Sequence, residues 1–427
     1  MNKNTVPEKY VLGLIARYKN DGVLYVHRSK SSKEYKNFWS MPTITVNEET
    51  YKNVLNKKSL SSEYVKRISQ EKLGGIPITG GELFISGVRK RTNYIINISL
   101  FNASLMNLPK QLSRKYDNYS IIQPEEVLSK NKGLCGTCIS LYFQGLINND
   151  LLPSTFPYLE IPPEIADSAR ALEEYSPAEL WKLASPNYTL LLSDKTGGEG
   201  HLIRRLTLDR FLEIFLNKHI HQNSHVLDMG CGIGNFLKLI RQKTTNLAGI
   251  DLYIDLDCNS ELKNRIKIGD IADSERLFDN YSFDTIVLNL MVFWLPDLNS
   301  VCSCIKKLLK PYGRILVTIT HPEYTKNGEW KRVEDDYYWI TKEPLRRGRF
   351  LTMINRCVGP LWFYPRSTAE IIKTFTQNSF HCIDSEEIFL DSYLSREEVH
   401  STLLKYPSLK RHLKIPNFVA YVFAKSI

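Results

Sequence analysis

Apolar and polar positions alternate in two different ways along the 427 residues of this chain. Near the start, "KYVLGLIARY" and "VLYVHRSK" flank the polar "KNDG", which predicts strand, turn and strand over residues 9–30. A loop carrying "NFWSMP" leads to a helical stretch from about Ser61 to Leu73. Ser61 or Ser62 can cap its start, and Gly74 and Gly75 suit its end. "ELFISGVRKR" and "NYIINISLFNASL" read as a hairpin pair of strands, and "GTCISLYFQGLI" as an apolar helix. The segment "LLPSTFPYLEIPPEIADS" then carries Pro153, Pro157, Pro162 and Pro163. Prolines at that density break regular structure, so a linker is expected at 153–170, between domains at 1–152 and 171–427.

From Ser224 the pattern changes to apolar strand, glycine turn and helix, repeated. "HVLDMGCGIGNFLKLIRQ" is followed by "LAGIDL", "IKIGDI", "FDTIVLNLMVFW" and "GRILVTITHP". Short apolar runs separated by helical stretches predict an open, mostly parallel sheet with helices on its faces. Such sheets bind ligands beyond the carboxyl ends of their strands, so the loops after each strand are where chemistry is expected.

Composition narrows the class. The length suits two domains, and 43% apolar with 24% charged residues describes a folded chain. The longest apolar run, "TIVLNLMVFWL", is too short to cross a membrane, and "MNKNTVPEKY" lacks the apolar core of a secretory signal. Eight scattered cysteines read as reduced thiols of a cytoplasmic protein. The net charge of +10 is uneven: residues 1–160 hold 22 Lys and Arg against 13 Asp and Glu, the remainder 34 against 33. That excess favours a small anionic partner for the first domain, and no feature points to a polymeric nucleic acid.

The loop "VLDMGCGIGNF" is the first candidate site. Asp228 ends a strand, and Gly230, Gly232 and Gly234 alternate before a helix, with Cys231 between them. Glycines allow a sharp turn and close approach of a ligand. A carboxylate two residues before the first glycine repels a pyrophosphate but suits the ammonium of an amino acid. "GID" puts Asp251, followed by Leu252, at the end of the next strand, where an acid can accept both hydroxyls of a ribose. "GDI" puts Asp270 and Ile271 where an adenine would lie. In these motifs residues 170–427 resemble the class I S-adenosylmethionine-dependent methyltransferases. The resemblance implies a Rossmann-like fold and S-adenosylmethionine as cofactor. Asp228, Gly230, Cys231, Gly232 and Gly234 would line its methionine and ribose part, Asp251 with Leu252 the ribose hydroxyls, Asp270 and Ile271 the adenine. Asn289 and Leu290 would lie beneath the sulfonium, and Arg204 or Arg205 would pair with the methionine carboxylate, unless it forms a structural salt bridge.

Transfer from a sulfonium is an in-line displacement, so the acceptor must be aligned and, for some acceptors, deprotonated. Trp294, and His321 with Tyr324 in "THPEY", follow the fourth and fifth strands, and His321 with Tyr324 form the expected catalytic pair. "WFYPRSTAEIIKTFTQNSF" brings Trp362, Tyr364 and Arg366 toward the acceptor. "EPLRRGRFLTMINRC" adds Arg346, Arg347, Arg349 and Arg356, which suit a phosphate or carboxylate.

The first domain, at about residues 8–150, resembles the Nudix family, an α/β/α sandwich whose box glutamates bind a divalent metal beside a diphosphate. Aligned on "RISQEKLGGI", Arg67, Glu71 and Gly74 match that box, whereas Ile68 and Lys72 replace two of its glutamates. The resemblance therefore implies a domain without hydrolysis, and no metal is expected. A lone "CGTC" at Cys135–Cys138 reads as helix packing before zinc. Methyl transfer to a small molecule or a peptide–nucleotide natural product is the expected function. One alternative is transfer of the cofactor's 3-amino-3-carboxypropyl arm to a phosphate, as in maturation of the antibiotic microcin C. The other is a nucleotide-binding protein without catalysis.

Overall fold

The computed structural model describes all residues but 1–5, 20–21, 92, 125, 128–133, 153–157, 169, 171, 194–197, 254–259, 323–327, 334–335, 342–347, 353, 355–357 and 426–427. The chain divides into two compact units, Met1–Leu190 with Thr352–Leu361, and Leu191–Leu351 with Trp362–Ile427.

The first unit is built on a mixed sheet. Its strands are β1 (Glu8–Tyr18), β2 (Val23–Arg28), β3 (Trp39–Ser40), β4 (Thr43–Val46), β5 (Ile78–Lys90), β6 (Ile95–Leu105) and β7 (Tyr116–Ile122). The order is β3-β2-β1-β6-β5, with β4 on β1 and β7 on β2. β1 runs parallel to β6 in register from Glu8↔Ile95 to Tyr18↔Leu105, while β5 and β6 form the expected antiparallel hairpin. Along β1 successive side chains enter opposite cores, as the two-residue period of a strand requires. Val11 and Ile15 pack with Ile139, Tyr142, Phe143 and Leu146 of α3 (Thr137–Asn148). Leu12, Leu14 and Ala16 pack with Tyr51 and Val54 of α1 (Glu48–Lys57) and with Val65 and Ile68 of α2 (Ser62–Lys72). Burial on both faces explains why β1 reads as an unbroken apolar run.

Short strands β8 (Leu134–Cys135) and β9 (Leu159–Glu160) pair in parallel. Pro153 and Pro157 lie outside the described residues, whereas Pro162 and Pro163 open the short helix α4 (Pro163–Ala166). Glu160 is buried beside Arg89 of β5 and Arg91 just after that strand: Arg89 Nε donates to Oε2 at 3.0 Å and Arg91 Nη2 to Oε1 at 2.7 Å. Burial alone would raise the Glu160 pKa, but the two guanidinium groups hold it below the ordinary value. A longer helix, α5 (Pro177–Ser193), follows.

The second unit begins with α6 (Gly198–Leu206) and α7 (Leu208–His219). Its sheet then follows the expected strand–turn–helix repeat: β10 (Val226–Met229), α8 (Asn235–Arg241), β11 (Leu247–Asp251), β12 (Ile266–Ile268), β13 (Phe283–Asn289), α9 (Leu298–Leu308) and β14 (Leu309–Thr320). β15 (Gly328–Val333) and β16 (Asp336–Thr341) form a separate antiparallel pair. β17 (Phe350–Thr352), β18 (Leu361–Phe363), α10 (Thr368–Gln377), β19 (Phe380–Ile388), α11 (Arg396–Lys405) and β20 (Phe418–Lys425) follow among the described residues. The sheet order is β12-β11-β10-β13-β14-β20-β19. The first five strands are parallel, and β20 lies antiparallel between β14 and β19.

Helices cover both faces of this sheet. Leu227, Ile286 and Leu288 pack with Val301, Ile305 and Leu308 of α9 and Ile371 and Phe375 of α10. Val226, Val287 and Leu316 pack with Phe211 and Phe215 of α7 and Leu237 and Ile240 of α8. Strand order reverses at β10, which has β11 on one side and β13 on the other, and such a switch point is where doubly wound sheets open a crevice.

Candidate cofactor site and acceptor loops

The loop from β10 to α8 is turned by glycines that need their freedom. Gly230, Gly232 and Gly234 have φ of 78°, 54° and 78°. At Gly230 a Cβ would also meet the Met291 side chain at 2.4 Å. The Gly230 and Cys231 N–H groups both donate to the Ile250 carbonyl, at 2.8 and 3.2 Å, which draws the loop against the end of β11. Gly249, which the sequence pattern did not single out, permits that approach: a Cβ there would lie 2.7 Å from Cys231 Sγ and 2.8 Å from Leu237 Cδ1.

Two carboxylates flank this loop. Asp228, in β10, is buried, and its Oδ1 has no hydrogen-bond partner. Burial and then the charge of Asp251 push its pKa up to about 8. Asp251, the last residue of β11, accepts the Gly232 N–H through Oδ2 at 2.8 Å and the Tyr253 N–H through Oδ1 at 3.2 Å. Its pKa is also raised by burial, with these backbone donors and that of Leu252 opposing the shift. The Cys231 thiol is pushed well up by burial and by the two acids, so it stays protonated.

The adjoining loops continue the same edge of the sheet. The Gly269 N–H donates to the Asp251 carbonyl at 3.0 Å, and exposed Asp270 caps the turn Ile271–Arg276 by accepting the Ala272 N–H at 2.8 Å. Ile271 is buried against the core beside Ile250. At the end of β13, Asn289 Oδ1 accepts the Thr318 hydroxyl at 2.6 Å, a partner that sequence reading missed. Leu290 has φ of 59°, a conformation that costs an L-residue about 1 kcal/mol. Its N–H donates to the Thr318 carbonyl at 2.9 Å, so β14 holds both residues.

Beyond Leu290 the turn Val292–Trp294 carries Trp294, which meets Phe363 edge-on at 5.4 Å between ring centroids. Arg366 ties this turn down. Its Nη1 donates to the carbonyls of Val292 at 2.6 Å and Tyr364 at 3.3 Å, its Nη2 to those of Leu295 at 2.7 Å and Pro296 at 3.2 Å. Both terminal nitrogens are therefore engaged by backbone, and the Tyr364 N–H donates in turn to the Phe293 carbonyl at 2.8 Å. Arg349 is exposed and stacks on buried Trp362, 4.0 Å from its ring centroid. His321 follows β14, with Nε2 3.3 Å from Glu387 Oε1. Arg204, on α6, pairs with Asp209 at 3.4 Å. Tyr324, Arg346, Arg347 and Arg356 lie outside the described residues.

The residues at the loop suit the proposed cofactor on an observation of their own. A buried carboxylate with an unpartnered oxygen is costly unless a cation joins it, and the ammonium of an amino acid is such a cation. An open doubly wound sheet, with a glycine turn at its switch point and acids near the carboxyl ends of β10 and β11, has the form of a nucleotide-cofactor domain. Residues 200–381 match the family model described as a methyltransferase domain, and this part of the chain is a class I S-adenosylmethionine-dependent methyltransferase domain.

Among curated proteins, the chain is similar to sterol 4-C-methyltransferase strm-1 of Caenorhabditis elegans, 28% identical over 106 residues. The match covers 23% of this chain and 31% of that protein, so the chain spans less than a third of its length. Similar solved structures include an S-adenosylmethionine-dependent methyltransferase from Mesorhizobium loti, at 15% identity and a TM-score of 0.42, covering 55% of this chain and 100% of that one. Another is 1,6-didemethyltoxoflavin-N1-methyltransferase of Burkholderia thailandensis, with bound 1,6-didemethyltoxoflavin and S-adenosylhomocysteine. It is 14% identical with a TM-score of 0.35, and the match covers 61% of this chain and 93% of that one.

Proposed function

We propose that the second unit transfers a methyl group from S-adenosylmethionine to a small, anionic acceptor. The first unit, Nudix-like in its mixed sheet between helices, recognises that acceptor without hydrolysing it. The observation that carries the transferase reading is the unpartnered Asp228 Oδ1 beside a left-handed glycine loop, inside the stretch that matches the methyltransferase domain. When bound, the cofactor supplies an electrophilic methyl on a sulfonium.

The chain's own residues then bind and orient. Asp228 holds the ammonium, Asp251 the ribose hydroxyls, and Asp270 with Ile271 the adenine. Asn289 and Leu290, fixed by Thr318, form the floor near the reacting centre. Trp294 and Trp362 exclude water from the acceptor. His321 takes the proton of an acceptor that must lose one, and Glu387 orients its ring. A phosphate oxygen needs no such base. The loss of metal carboxylates supports the non-hydrolytic role of the first unit: Ile68 is fully buried, and Glu71 is bound by Arg67 at 2.7 Å.

Incubation with S-adenosylmethionine and a panel of phosphate- or carboxylate-bearing acceptors, read by mass spectrometry, tests the proposal. A gain of one methyl with release of S-adenosylhomocysteine is expected. Release of 5′-methylthioadenosine with a larger gain would replace it by aminocarboxypropyl transfer.

A further inference from the structure

Near the carboxyl ends of β13 and β14, Asn289 and Thr318 share a side-chain hydrogen bond that strand pairing does not need. The two residues already lie opposite each other in the β13–β14 ladder, and the Leu290 N–H donates to the Thr318 carbonyl at 2.9 Å. Thr318 is fully buried, and its hydroxyl reaches Asn289 Oδ1 at 2.6 Å. That length suits an O–H···O bond and is shorter than an amide N–H donor allows, so oxygen is the amide atom turned to β14. The oxygen and nitrogen of a planar amide diverge, which turns Nδ2 away from Thr318. Asn289 is half-buried, and its Nδ2 has no hydrogen-bond partner among the described residues.

Register places that donor. Asp228 lies opposite Val287 in the β10–β13 ladder, and Asn289 is two residues further along β13. Side chains two apart on a strand share a face, so Asp228 and Asn289 both stand on the face that buries Val226, Val287 and Leu316. Asn289 is thus one strand over from Asp228 and about 6.6 Å further toward the carboxyl end of the sheet. The unpartnered Asp228 Oδ1 suits a cation, whereas the Asn289 N–H donors repel one and call for an oxygen with lone pairs. Arg204, an expected partner for a carboxylate, is paired with Asp209 at 3.4 Å.

We propose that Thr318 is a positioning residue for the transfer reaction: it locks the Asn289 amide with Nδ2 toward the crevice, where its N–H donors receive a carboxylate oxygen. This role rests on the transferase reading of the second unit. Two molecules of that reaction can bring a carboxylate, the cofactor through its amino-acid end and the acceptor. Without the Thr318 hydroxyl the amide can turn over, and its oxygen would then repel the same carboxylate. Thr318 acts through Asn289 and touches neither ligand.

The test measures, on the full chain, calorimetric affinity for S-adenosylmethionine and for its decarboxylated form, and KM for an acceptor methylated in the panel above. Thr318→Val should weaken one ligand by about fivefold, the scale of one hydrogen bond, and Thr318→Ser should restore it. If the carboxylate is the cofactor's, S-adenosylmethionine binds more weakly and the decarboxylated form is unaffected. If it is the acceptor's, KM rises while cofactor affinity holds. In an Asn289→Ala background Thr318→Val should change neither further, because the hydroxyl works through the amide. Circular dichroism verifies that each variant is folded. A wild-type chain that bound no S-adenosylmethionine would overturn the transferase reading and this role with it. Wild-type binding with both ligands unaffected by Thr318→Val, or an equal loss in the Asn289→Ala background, would overturn this role alone.

Discussion

Asp251 accepts the Gly232 N–H at 2.8 Å, so the acid expected to meet the ribose also holds the glycine loop in shape. Asp251→Ala should therefore do two separable things. Loss of a charged acceptor from a buried N–H costs about 1.5–3 kcal/mol of stability, read by urea unfolding. Cofactor affinity should fall by about 100-fold or more, since two ligand hydrogen bonds go with it. Asp251→Asn keeps an oxygen for Gly232 and should recover most of the stability without the affinity. If both variants bound S-adenosylmethionine normally, Asp251 would be a loop brace alone.

Asp228 makes the stability of the domain sensitive to pH. Its folded pKa, about 8, stands above the ordinary 3.8, so the folded state holds this proton more tightly than the unfolded chain does. The resulting stability is full below the unfolded value and is lost as pH rises through about 8. Asp228→Asn should remove that part of the pH dependence and be the more stable protein at pH 9. Binding should change in the opposite direction. An ammonium pairs with the ionised acid, so wild-type affinity should strengthen from pH 6 to 8 by up to about tenfold per unit. Asp228→Asn should bind weakly with no such slope, and a parallel slope in the variant would remove Asp228 as its source.

At Gly230, space and backbone can be distinguished. Gly230→Ala brings a Cβ to within 2.4 Å of the Met291 side chain and places an L-residue at φ of 78°. The expected loss is about 2–3 kcal/mol from overpacking and conformation together. Adding Met291→Ala should return the steric part only, leaving about 1–2 kcal/mol of conformational cost. Full recovery in the double variant would mean that the turn does not require glycine.

Arg366 spends both terminal nitrogens on carbonyls around the Val292–Trp294 turn. Under the proposed function this makes it a positioning residue for the loop that would face the acceptor. Arg366→Lys, unable to reach several carbonyls at once, should raise the acceptor KM or lower kcat by about tenfold and leave cofactor affinity intact. The loss should be the same for charged and neutral acceptors. A loss confined to anionic acceptors would instead make Arg366 an anion contact.

Local chemistry made most of the fold legible. Period-two burial on two faces gave β1 its unbroken apolar run, and the glycine turn after Asp228 is where the pattern expected it. Long-range pairing left weaker marks. Nothing in "NFVAYVFAK" says that β20 inserts antiparallel between β14 and β19, because a strand buried in a sheet reads alike in either direction. Side-chain duties were the least visible. An arginine after "WFYP" looks the same whether it faces an anion or a row of carbonyls, and Arg366 proves to face carbonyls. Thr318 and Gly249 act only through neighbours brought in from other strands, so their spacing carries no signal.

The way the second sheet ends on each side bears on solubility. β12 has three residues and carries Lys267 in the middle. β19, on the opposite side, exposes Asp384, Ser385, Glu386 and Glu387 in succession. A second copy laid alongside either border would find too few free backbone groups or a row of like charges. The borders thus guard against runaway strand addition, and replacing those acids with threonine or valine would turn a closed molecule into a seed for aggregates.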